Sequence, residues 1–492
     1  MAAKPYLTSN DLIASVKRKI SFPTSQNTFT SDDILAFAND EMAISQVPSV
    51  LEFHEEYFVF VEEVPFVMGQ SYYPIPTRAL GMKLRDLKYK DSNNNLFDMA
   101  RIAPEDKAFF QRNIGTSETL SKYYVEGNNV VMLPYLVTTD AISLMFYYFL
   151  RPNQLVANER AATITSFNEN ITVINSAITP GDSINIGNQF FTSTNGIDIS
   201  LSELGYPTII NTVGPHGLTT GESVTIANNT TGAPLINGTY VATVTSPTQF
   251  SIPITTSANG TDGVVYLPGQ QFLIGSNDIQ TATNLAYSIN FSGLAVATNG
   301  TPATSLITLA FNTIPASQSV ETSNTNAFII PQDVQLIQFN QVPTTYTDPN
   351  TFVTENLYTV GSTIDFLQTN PGHRTYALDV PIQAISGTEV TFPVADVPTY
   401  MIVGDYMCLS NECIIPQIPP DLHNALAQRV CTMILTSIGD MQGAQATAAK
   451  VQEMEKHQIT LLDNRVESSP LKVNHLKSIA RFQGMGSRRR RL

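Results

Sequence analysis

The positive charges of this chain are distributed very unevenly along its length. Between Arg160 and Arg374 the 492-residue sequence contains no Lys or Arg. The last 28 residues, from Arg465 onward, carry eight basic side chains against one acidic side chain, Glu467. The whole chain nevertheless has a formal net charge of −15. A long segment without cations has to cover its core with polar, uncharged faces, so we expect an acidic, β-rich body followed by a separate basic tail.

Composition supports β-rich structure and gives no sign of a membrane protein. Charged residues make up 14% of the chain and Trp is absent, whereas soluble domains carry about 25% charged residues. The first residues lack an apolar stretch followed by a small-residue cleavage site, and no segment approaches the ~20 apolar residues that cross a bilayer. We therefore expect a soluble protein made in a cytoplasm, without a membrane. The three cysteines, Cys408, Cys413 and Cys431, form no even disulfide framework and are interpreted as small buried hydrophobes.

A short pattern recurs in the segment without cations. A turn glycine, a polar pair and apolar residues at alternate positions appear in "GDSINIGN" at 181–188, in "GESVTIAN" at 221–228 and, more loosely, in "GQQFLIGSN" from Gly269. A fourth copy, "GDYMCLSN" at 404–411, lies beyond the segment. Alternation places Ile184 and Ile186 on one face of a strand. The pattern predicts small barrels or sandwiches built from hairpins; the alternative is that β-rich sequences produce such matches by chance.

Helix signals occur at both ends of the chain. Thr8 with Asp11, and Thr30 with Asp33, match the capping box, in which a hydroxyl and a carboxylate bind otherwise unpaired backbone N–H groups. Two short N-terminal helices are predicted from them. Near the other end, a helix begins at the Pro419-Pro420 pair and is apolar around more than half its circumference, and a second helix runs from about 444 to 465.

These elements together predict an α+β fold. In this interpretation, residues 1–155 and 375–465 form a split α+β body, made of helices with a β-sandwich, and residues 156–374 form inserted all-β domains. The insertion includes a small barrel at about 206–266. Residues 466–492 form the basic C-terminal tail.

Residues that would indicate catalysis are missing from the sequence pattern. The six histidines show no metal-ligand spacing, and no nucleophile elbow, phosphate loop or dinucleotide fingerprint occurs. His216 and His423 are interpreted as structural or solvent-exposed residues. The sequence therefore predicts no enzyme, no cofactor and no metal site.

One segment of the insertion resembles a phage protein. In Gly214–Ile252 the pattern is H-G-L at 216–218, then "GESVTI" at 221–226, "INGTYV" at 236–241 and "TQF" at 248–250. This segment resembles the small β-barrel that recurs in phage tail and neck proteins and is similar to one subdomain of ubiquitin-activating enzymes. The stretch "FLIGSNDIQTATNLAYSINFSG" is similar to a phage pattern in which a helix, here at 281–289, follows a strand.

The two ends of the chain carry a second resemblance. "VGDYMCLSNECIIPQIPPDLHNALAQRVCTMILTSIGDMQGAQ", the strand ending in "YFLRP" and the capped N-terminal helices resemble the head-to-tail adaptors of tailed bacteriophages, the group that contains tail tubular protein A. The resemblance implies a helical body and a ring, commonly of twelve copies, that binds the portal protein on one side and the tail or nozzle protein on the other. DNA would pass through the channel of the ring without sequence-specific binding. The implied location is the virion neck, after assembly in the host cytoplasm.

The resemblance gives the basic tail a role. A tail that docks on the portal would form bidentate pairs between guanidinium groups and carboxylates of the neighbouring ring. The residues predicted to dock are Arg481, Arg488, Arg489, Arg490, Arg491 and Leu492. The alternative is a solvated, disordered tail with nonspecific affinity for nucleic acid. An acidic channel wall would reduce sticking of DNA phosphates.

Two other functions compete with the adaptor. A receptor- or glycan-binding tail protein would use the Thr/Asn-rich β segment, with Tyr206, Tyr240 and Tyr266 as candidate aromatic platforms. A hydrolase of cell-wall polymers is disfavoured because its catalytic residues are missing.

Overall fold

The chain is mostly β. The computed structural model describes residues 6–21, 29–67, 69–107, 122–133, 141–312, 320–331, 333–343, 345–347, 354–369 and 375–462. Of these residues, 40% lie in strands and 25% in helices. The predicted α+β fold with a helical adaptor body is therefore wrong. Strands fill most of the segment between the N-terminal and C-terminal helices, because the low charge and the many Thr, Val and Ile residues that favour pleated structure extend beyond the predicted insertion.

Five helices are present in the described part of the chain. The second helix, at 31–53, contains one π-helical turn at Met42–Gln46 between two α-helical parts, Ser31–Glu41 and Val47–Phe53. In chain order the helices are α1 Ser9–Ile20, α2 31–53, α3 Asp278–Ser292, α4 His423–Ser437 and α5 Met441–Leu462. Short 3-10 turns occur at Glu55–Phe58, Pro104–Asp106, Asn158–Arg160, Asn175–Ala177, Val394–Asp396 and Pro420–Leu422.

Both predicted capping boxes are confirmed. At the start of α1, the Thr8 N–H donates to Asp11 Oδ2 at 3.1 Å and the Asp11 N–H donates to Thr8 Oγ1 at 3.3 Å. At the start of α2, Thr30 and Asp33 repeat the arrangement at 2.8 and 3.1 Å. Each box satisfies two backbone donors that have no partner within the helix.

The two ends of the chain share one hydrophobic core. Helices α1, α2 and α4 pack through buried Leu12, Val16, Leu35, Leu426 and Val430. Backbone contacts also join the ends, since the Ser9 N–H donates to the Ile414 carbonyl at 2.7 Å. The predicted burial of the C-terminal helix on several sides is confirmed, because nine residues of α4 are buried. We call this part the helical core.

A β module follows the first two helices. Two four-stranded sheets enclose buried aromatic and aliphatic side chains that include Tyr73, Leu87, Phe146 and Tyr148. In spatial order the first sheet consists of Val59–Pro65, Ala141–Leu150, Ala79–Asp91 and Leu96–Asp98. The second consists of Tyr72–Pro74, Asn129–Leu133, Lys122–Glu126 and Ala100–Arg101. We call these two sheets the N-terminal β module.

A ten-stranded sheet forms the centre of the molecule. Its main path is Thr375–Pro381, Thr363–Leu367, Tyr406–Leu409, Ala162–Val173, Val334–Phe339, Glu389–Pro393 and Ala384–Ser386. Leu306–Phe311, Val296–Thr298 and Phe328–Ile329 extend it from the strand Ala162–Val173 and its neighbour. Strands on both sides of residues 370–374 take part, so one sheet joins the segment predicted as an insertion to the segment predicted as the body. We call it the central sheet.

Two smaller β units and α3 complete the described structure. A four-stranded sheet of Gln271–Leu273, Gln189–Thr194, Ser183–Ile186 and Val320–Thr322 encloses a core with α3. A seven-stranded sheet forms a nearly closed barrel. Its order is Gly238–Val241, Ser223–Ala227, Val264–Tyr266, Ile197–Ser202, Thr208–Thr212, Gln249–Ile252 and Thr243–Ser246. Two-stranded pairs join Thr345–Thr347 to Thr354–Asn356 and Gln154–Leu155 to Glu412–Cys413.

The recurring sequence pattern corresponds to a recurring turn. At Gly221 φ is +97°, the Glu222 N–H donates to the Thr219 carbonyl at 3.2 Å, and the Thr219 N–H donates to Glu222 Oε2 at 2.6 Å. The same two hydrogen bonds, with an Asp or Ser side chain in the place of Glu, close the turns at 179–182, 359–362 and 402–405. The turn at 359–362 was not predicted. A strand follows each turn, and these strands lie in three different sheets. The copy at Gly269 has a strand but a different turn.

No helix in the described part of the chain is long and apolar enough to cross a membrane.

Candidate functional site

The predicted docking residues lie outside the described part of the chain. Arg481, the four arginines at 488–491 and Leu492 all belong to the segment 463–492, which the structure does not describe. Within the described residues, a group of charged and polar side chains lies where the N-terminal β module, the central sheet and the helical core meet. This group has two parts, a buried polar junction and an acidic cleft beside it.

The polar junction is built around a buried ion pair. Arg78 lies just before the strand Ala79–Asp91 and is 7% exposed, and its guanidinium donates to the fully buried Asp365 and to Asn411. Asn153 Nδ2 donates to Asp365 Oδ2 at 2.6 Å, and the Asp379 N–H donates to Asp365 Oδ1 at 3.1 Å. Burial raises the pKa of Asp365, while the charge of Arg78 and these hydrogen bonds oppose the rise.

Gln417 connects this junction to the segment that leads into α4. Its Oε1 accepts from the Asn153 N–H at 2.6 Å, and its Nε2 donates to Thr375 Oγ1 at 2.7 Å. Asn153 also donates to the Glu412 carbonyl at 3.1 Å. Buried polar groups are stable only when they are paired, so this set of contacts fixes the three units relative to one another.

The acidic cleft lies next to the junction and has a volume of about 480 Å³. The strand Val59–Pro65 forms one wall, and the strand Thr375–Pro381 with the turn at 395–398 forms the other. Its charged lining residues are Glu62, Glu63, Arg78, Asp379 and Asp396. Its apolar lining residues include Phe60, Val61, Ala377, Leu378, Val397 and Pro398.

The carboxylates of the cleft differ in their surroundings. Glu62 accepts from the Tyr148 hydroxyl at 3.0 Å, and its pKa is raised, first by burial and then by the negative charge of Asp379. Glu63 accepts from Ser143 Oγ at 2.6 Å and pairs with Lys90, and these hydrogen bonds lower its pKa. Burial and the neighbouring Asp379 therefore disfavour the ionised form of Glu62, while the Tyr148 hydroxyl and Arg78 favour it.

Asp379 is held at the edge of the cleft by an unusual backbone conformation. Its φ is +55°, and the strand pairing shifts register around it, as at a β-bulge. The carboxylate is 49% exposed and lies 3.5 Å from Arg78 Nε. That Nε–H is buried and has no hydrogen-bond acceptor among the described residues. The half-exposed Asp379 carboxylate therefore lies at salt-bridge distance from a guanidinium that is already bound to Asp365.

His216 and His423 accept hydrogen bonds from the backbone, and the three cysteines are buried. His423 Nδ1 accepts from the Leu7 N–H at 3.0 Å, and His216 Nδ1 accepts from the Leu218 N–H at 3.0 Å. The cysteines are all buried and form no disulfide, and burial raises the pKa of each thiol, to about 11 for Cys431. Across the described ranges, no group of three or more His, Cys, Asp and Glu side chains could hold a metal ion.

The three candidate tyrosines do not form a common platform. Tyr206 is 71% exposed at one end of the barrel, whereas Tyr266 is only 6% exposed in the barrel wall. Tyr240 is half-buried and its hydroxyl donates to the Asn237 carbonyl at 3.4 Å. Leu204 and Leu235 are also exposed. They lie near Tyr206 because backbone bridges join the loops that carry them to the loop at 256–260.

A comparison with protein-family models gives no match for this chain, and neither does a comparison with curated proteins.

Sequence reasoning missed both parts of this site. Arg78 and Asp365 are 287 positions apart, and neither belongs to a sequence motif that would predict the other as its partner. The available signal was the scarcity of cations, since an Arg within the mostly uncharged stretch "YYPIPTRALGM" has to find an acid when it is buried.

Proposed function

We propose that this chain is a structural virion protein of a tailed bacteriophage, a ring-forming head-to-tail adaptor that joins the portal to the tail. It would bind the portal protein, the tail or nozzle protein and further copies of itself, commonly twelve in the family that it resembles. The ring would form part of the channel through which DNA leaves the capsid. The proposal includes no helical body, since the fold is mostly β.

The polar junction is the observation that carries this proposal. Arg78, Asp365 and Asn153 bind one another at the meeting point of three structural units instead of facing a substrate. A protein placed between two rings has to keep its binding surfaces at fixed relative positions, and hydrogen bonds among buried polar side chains provide such rigidity. The acidic body and the basic tail supply opposite charges for contacts between tiers.

The experiment that tests the proposal removes the end of the tail. Deleting residues 487–492 from the chain is expected to weaken its attachment to purified portal rings, because four guanidinium groups are lost. Attachment is measured by co-sedimentation and by negative-stain imaging of the complexes. The matched control keeps the length of the tail and replaces Arg488–Arg491 by Ser, which should weaken attachment equally if charge is responsible. Attachment that is unchanged in both variants would contradict docking by the tail.

The location of the protein in virions tests the same proposal independently. An adaptor lies at a single vertex between capsid and tail, and its channel is lined by acidic or neutral residues, which reduce binding of DNA phosphates. A channel lined by basic side chains would contradict the proposed path of DNA.

A second candidate is a receptor- or glycan-binding tail protein. It is favoured by one observation, the exposed side chains of Leu204, Tyr206 and Leu235 at the end of the barrel. The same virion images separate the two functions, since a receptor-binding protein lies at the periphery of the tail.

A further inference from the structure

Four asparagines of this chain are followed directly by glycine, at Asn195, Asn237, Asn259 and Asn299. Such a pair can lose the side-chain amide, because glycine has no side chain to hinder the approach of its own backbone nitrogen to the Asn side chain. We propose that Asn299 is a site of spontaneous deamidation in the folded protein, and that hydrogen bonds protect the other three. This inference goes beyond the adaptor function and does not depend on it.

The reaction at Asn299 needs water as its only co-reactant. The backbone nitrogen of Gly300 gives its proton to solvent and attacks Cγ of Asn299, and the new N–C bond closes a succinimide ring. The side-chain nitrogen takes up a proton and leaves as ammonia. Water then adds to either carbonyl carbon of the ring and breaks one C–N bond, which gives aspartate or isoaspartate. The attack is intramolecular, so it needs no catalyst, oxidant or reductant.

The backbone nitrogen of Gly300 is available for this attack. Gly300 lies in the exposed turn between the central-sheet strands Val296–Thr298 and Leu306–Phe311, and its N–H has no hydrogen-bond acceptor among the described residues. The Asn299 side chain makes one hydrogen bond within the described chain, from Nδ2 to Oγ1 of Thr283 in α3 at 2.7 Å. This exposed bond costs little to break, so the side chain can turn toward the nitrogen.

At Asn259 the attacking nitrogen is buried and already bonded. The Gly260 N–H donates to the carbonyl oxygen and to Oγ of Ser202, each at 3.0 Å, and Gly260 is buried. Asn259 Oδ1 also accepts from the Leu204 N–H at 2.7 Å. Attack at this position has to break these hydrogen bonds and leave buried polar groups without partners, so the folded state opposes it.

At Asn195 the attacking nitrogen is hydrogen-bonded as well. The Gly196 N–H donates to Thr194 Oγ1 at 3.0 Å. The backbone around Gly196 is tightly packed, since a Cβ added to it would lie 2.8 Å from Cβ of Val264. Unlike the nitrogen of Gly260, this nitrogen is bonded to a side chain alone, and a single substitution can remove that acceptor.

At Asn237 the side chain is held in place. Its Oδ1 accepts from the Asn229 N–H at 2.8 Å, and its Nδ2 donates to the Asn229 carbonyl at 2.8 Å. Rotation toward the next residue would break both bonds, each of which satisfies a backbone group. Asn299 is therefore the one asparagine of the four at which the attacking nitrogen is free and a single exposed hydrogen bond holds the side chain.

Deamidation would change the surface next to α3. The hydrogen bond from Asn299 to Thr283 is lost with the amide nitrogen. A carboxylate appears in a stretch of the sequence that has no Lys or Arg between Arg160 and Arg374. The isoaspartate product also adds a methylene group to the main chain just before the turn. The modified turn should therefore lose its attachment to α3.

The test follows all four sites in the full-length protein, aged in mildly alkaline buffer that deprotonates more of each attacking nitrogen. A protease that cuts after aromatic residues produces the peptides, because trypsin has no site between Arg160 and Arg374. Mass spectrometry and an isoaspartyl-specific methyltransferase quantify the products at each position. Asn299 should react about tenfold faster than Asn259, as expected when one or two hydrogen bonds need not be broken. Equal rates at the four sites, or a faster reaction at another site, would overturn the proposal.

Unfolding separates the effect of the fold from the effect of the Asn-Gly sequence. In guanidinium chloride the four sites should react at similar rates, because each keeps its glycine and loses its folded contacts. If Asn299 led by the same factor in the unfolded chain, the fold would not be the cause and the proposal would be wrong.

A single substitution tests whether hydrogen bonding of the nitrogen controls the rate. Thr194→Val removes the Oγ1 that binds the Gly196 N–H and keeps a β-branched side chain in the strand. Deamidation at Asn195 should become several-fold faster, while Asn259 and Asn299 in the same molecules keep their wild-type rates. Unchanged rates at these two sites also show that the variant is folded. A rate at Asn195 equal to that of the wild type would overturn protection by hydrogen bonding.

Discussion

Asp365 is fully buried, and its carboxylate binds groups from four separate segments of the chain. Removing the charge leaves the buried Arg78 with only the half-exposed Asp379 carboxylate, 3.5 Å from its Nε, as a counter-ion. We expect Asp365→Asn to destabilise the protein by about 3–5 kcal/mol, as is typical when one partner of a buried ion pair is lost. Urea unfolding followed by tyrosine fluorescence measures the change.

Asp98→Asn is the matched control for this prediction. Asp98 pairs with Lys88 at 2.8 Å, but its side chain is 80% exposed. Exposed pairs contribute about 0–1 kcal/mol, so this variant should unfold nearly as the wild type does. Similar destabilisation by both substitutions would contradict a special role for the junction.

The raised pKa of Glu169 predicts that the stability of the protein depends on pH. It lies on Ala162–Val173, and burial raises its pKa to about 7, above an ordinary value of 4.5. The folded state therefore binds this proton more tightly than the unfolded state does. The stabilisation is fully present below pH 4.5 and is lost as the pH rises through about 7. Glu169→Gln should raise the melting temperature at pH 8 and change it little at pH 4, measured by differential scanning calorimetry.

The expected size of the Glu169→Gln effect depends on the burial of Glu169, and an exposed glutamate provides the control. Keeping the ionised carboxylate of Glu169 buried costs on the order of 3 kcal/mol, the free energy that corresponds to this rise in pKa. Glu321→Gln makes the same chemical change at an exposed position of a nearby strand. A melting temperature of Glu169→Gln that follows the wild type at both pH values would contradict the prediction.

At the scale of elements, the recurring turn makes a prediction about Gly221. Its φ of +97° is a conformation that residues with a side chain rarely adopt, although an added Cβ would meet no atom within 4 Å. Gly221→Ala should therefore destabilise the barrel by about 1 kcal/mol through backbone strain alone. Thermal unfolding measures the loss. Gly214→Ala is the control, since Gly214 also has open space around it but no positive φ; equal effects of both variants would contradict the explanation.

Elements that depend on local contacts were predictable from the sequence. The capping boxes at Thr8 and Thr30 bring together residues three positions apart, and both are present. The helix after Pro419 also carried its own apolar pattern and is present as α4. The fold class was not predictable in this way. The strand Tyr406–Leu409 pairs with Ala162–Val173, and nothing in either sequence specifies a partner more than 200 positions away.

At the scale of the whole molecule, the distribution of charge was the most informative feature of the sequence. It was also the least specific feature, because it did not identify which charged residues come together. The sequence predicted an acidic body and a basic tail. It did not predict the acidic cleft, because Glu62, Arg78 and Asp379 come from segments that meet only when the N-terminal β module packs against the central sheet. A site assembled by tertiary packing has no local signature, so its position followed only from the structure.

The sequence separation between paired strands of the central sheet affects how the nascent chain folds during translation. Ala162–Val173 leaves the ribosome about 240 residues before its partner Tyr406–Leu409. At about 5–20 residues per second, that interval lasts roughly 10–50 seconds. The barrel strands, all between Ile197 and Tyr266, can complete their pairing during the wait, whereas the start of the early strand, at Ala162 and Thr163, keeps an unpaired edge. Nascent chains on one polysome that carry such open edges can pair with one another, so translation speed affects the yield of correctly folded protein.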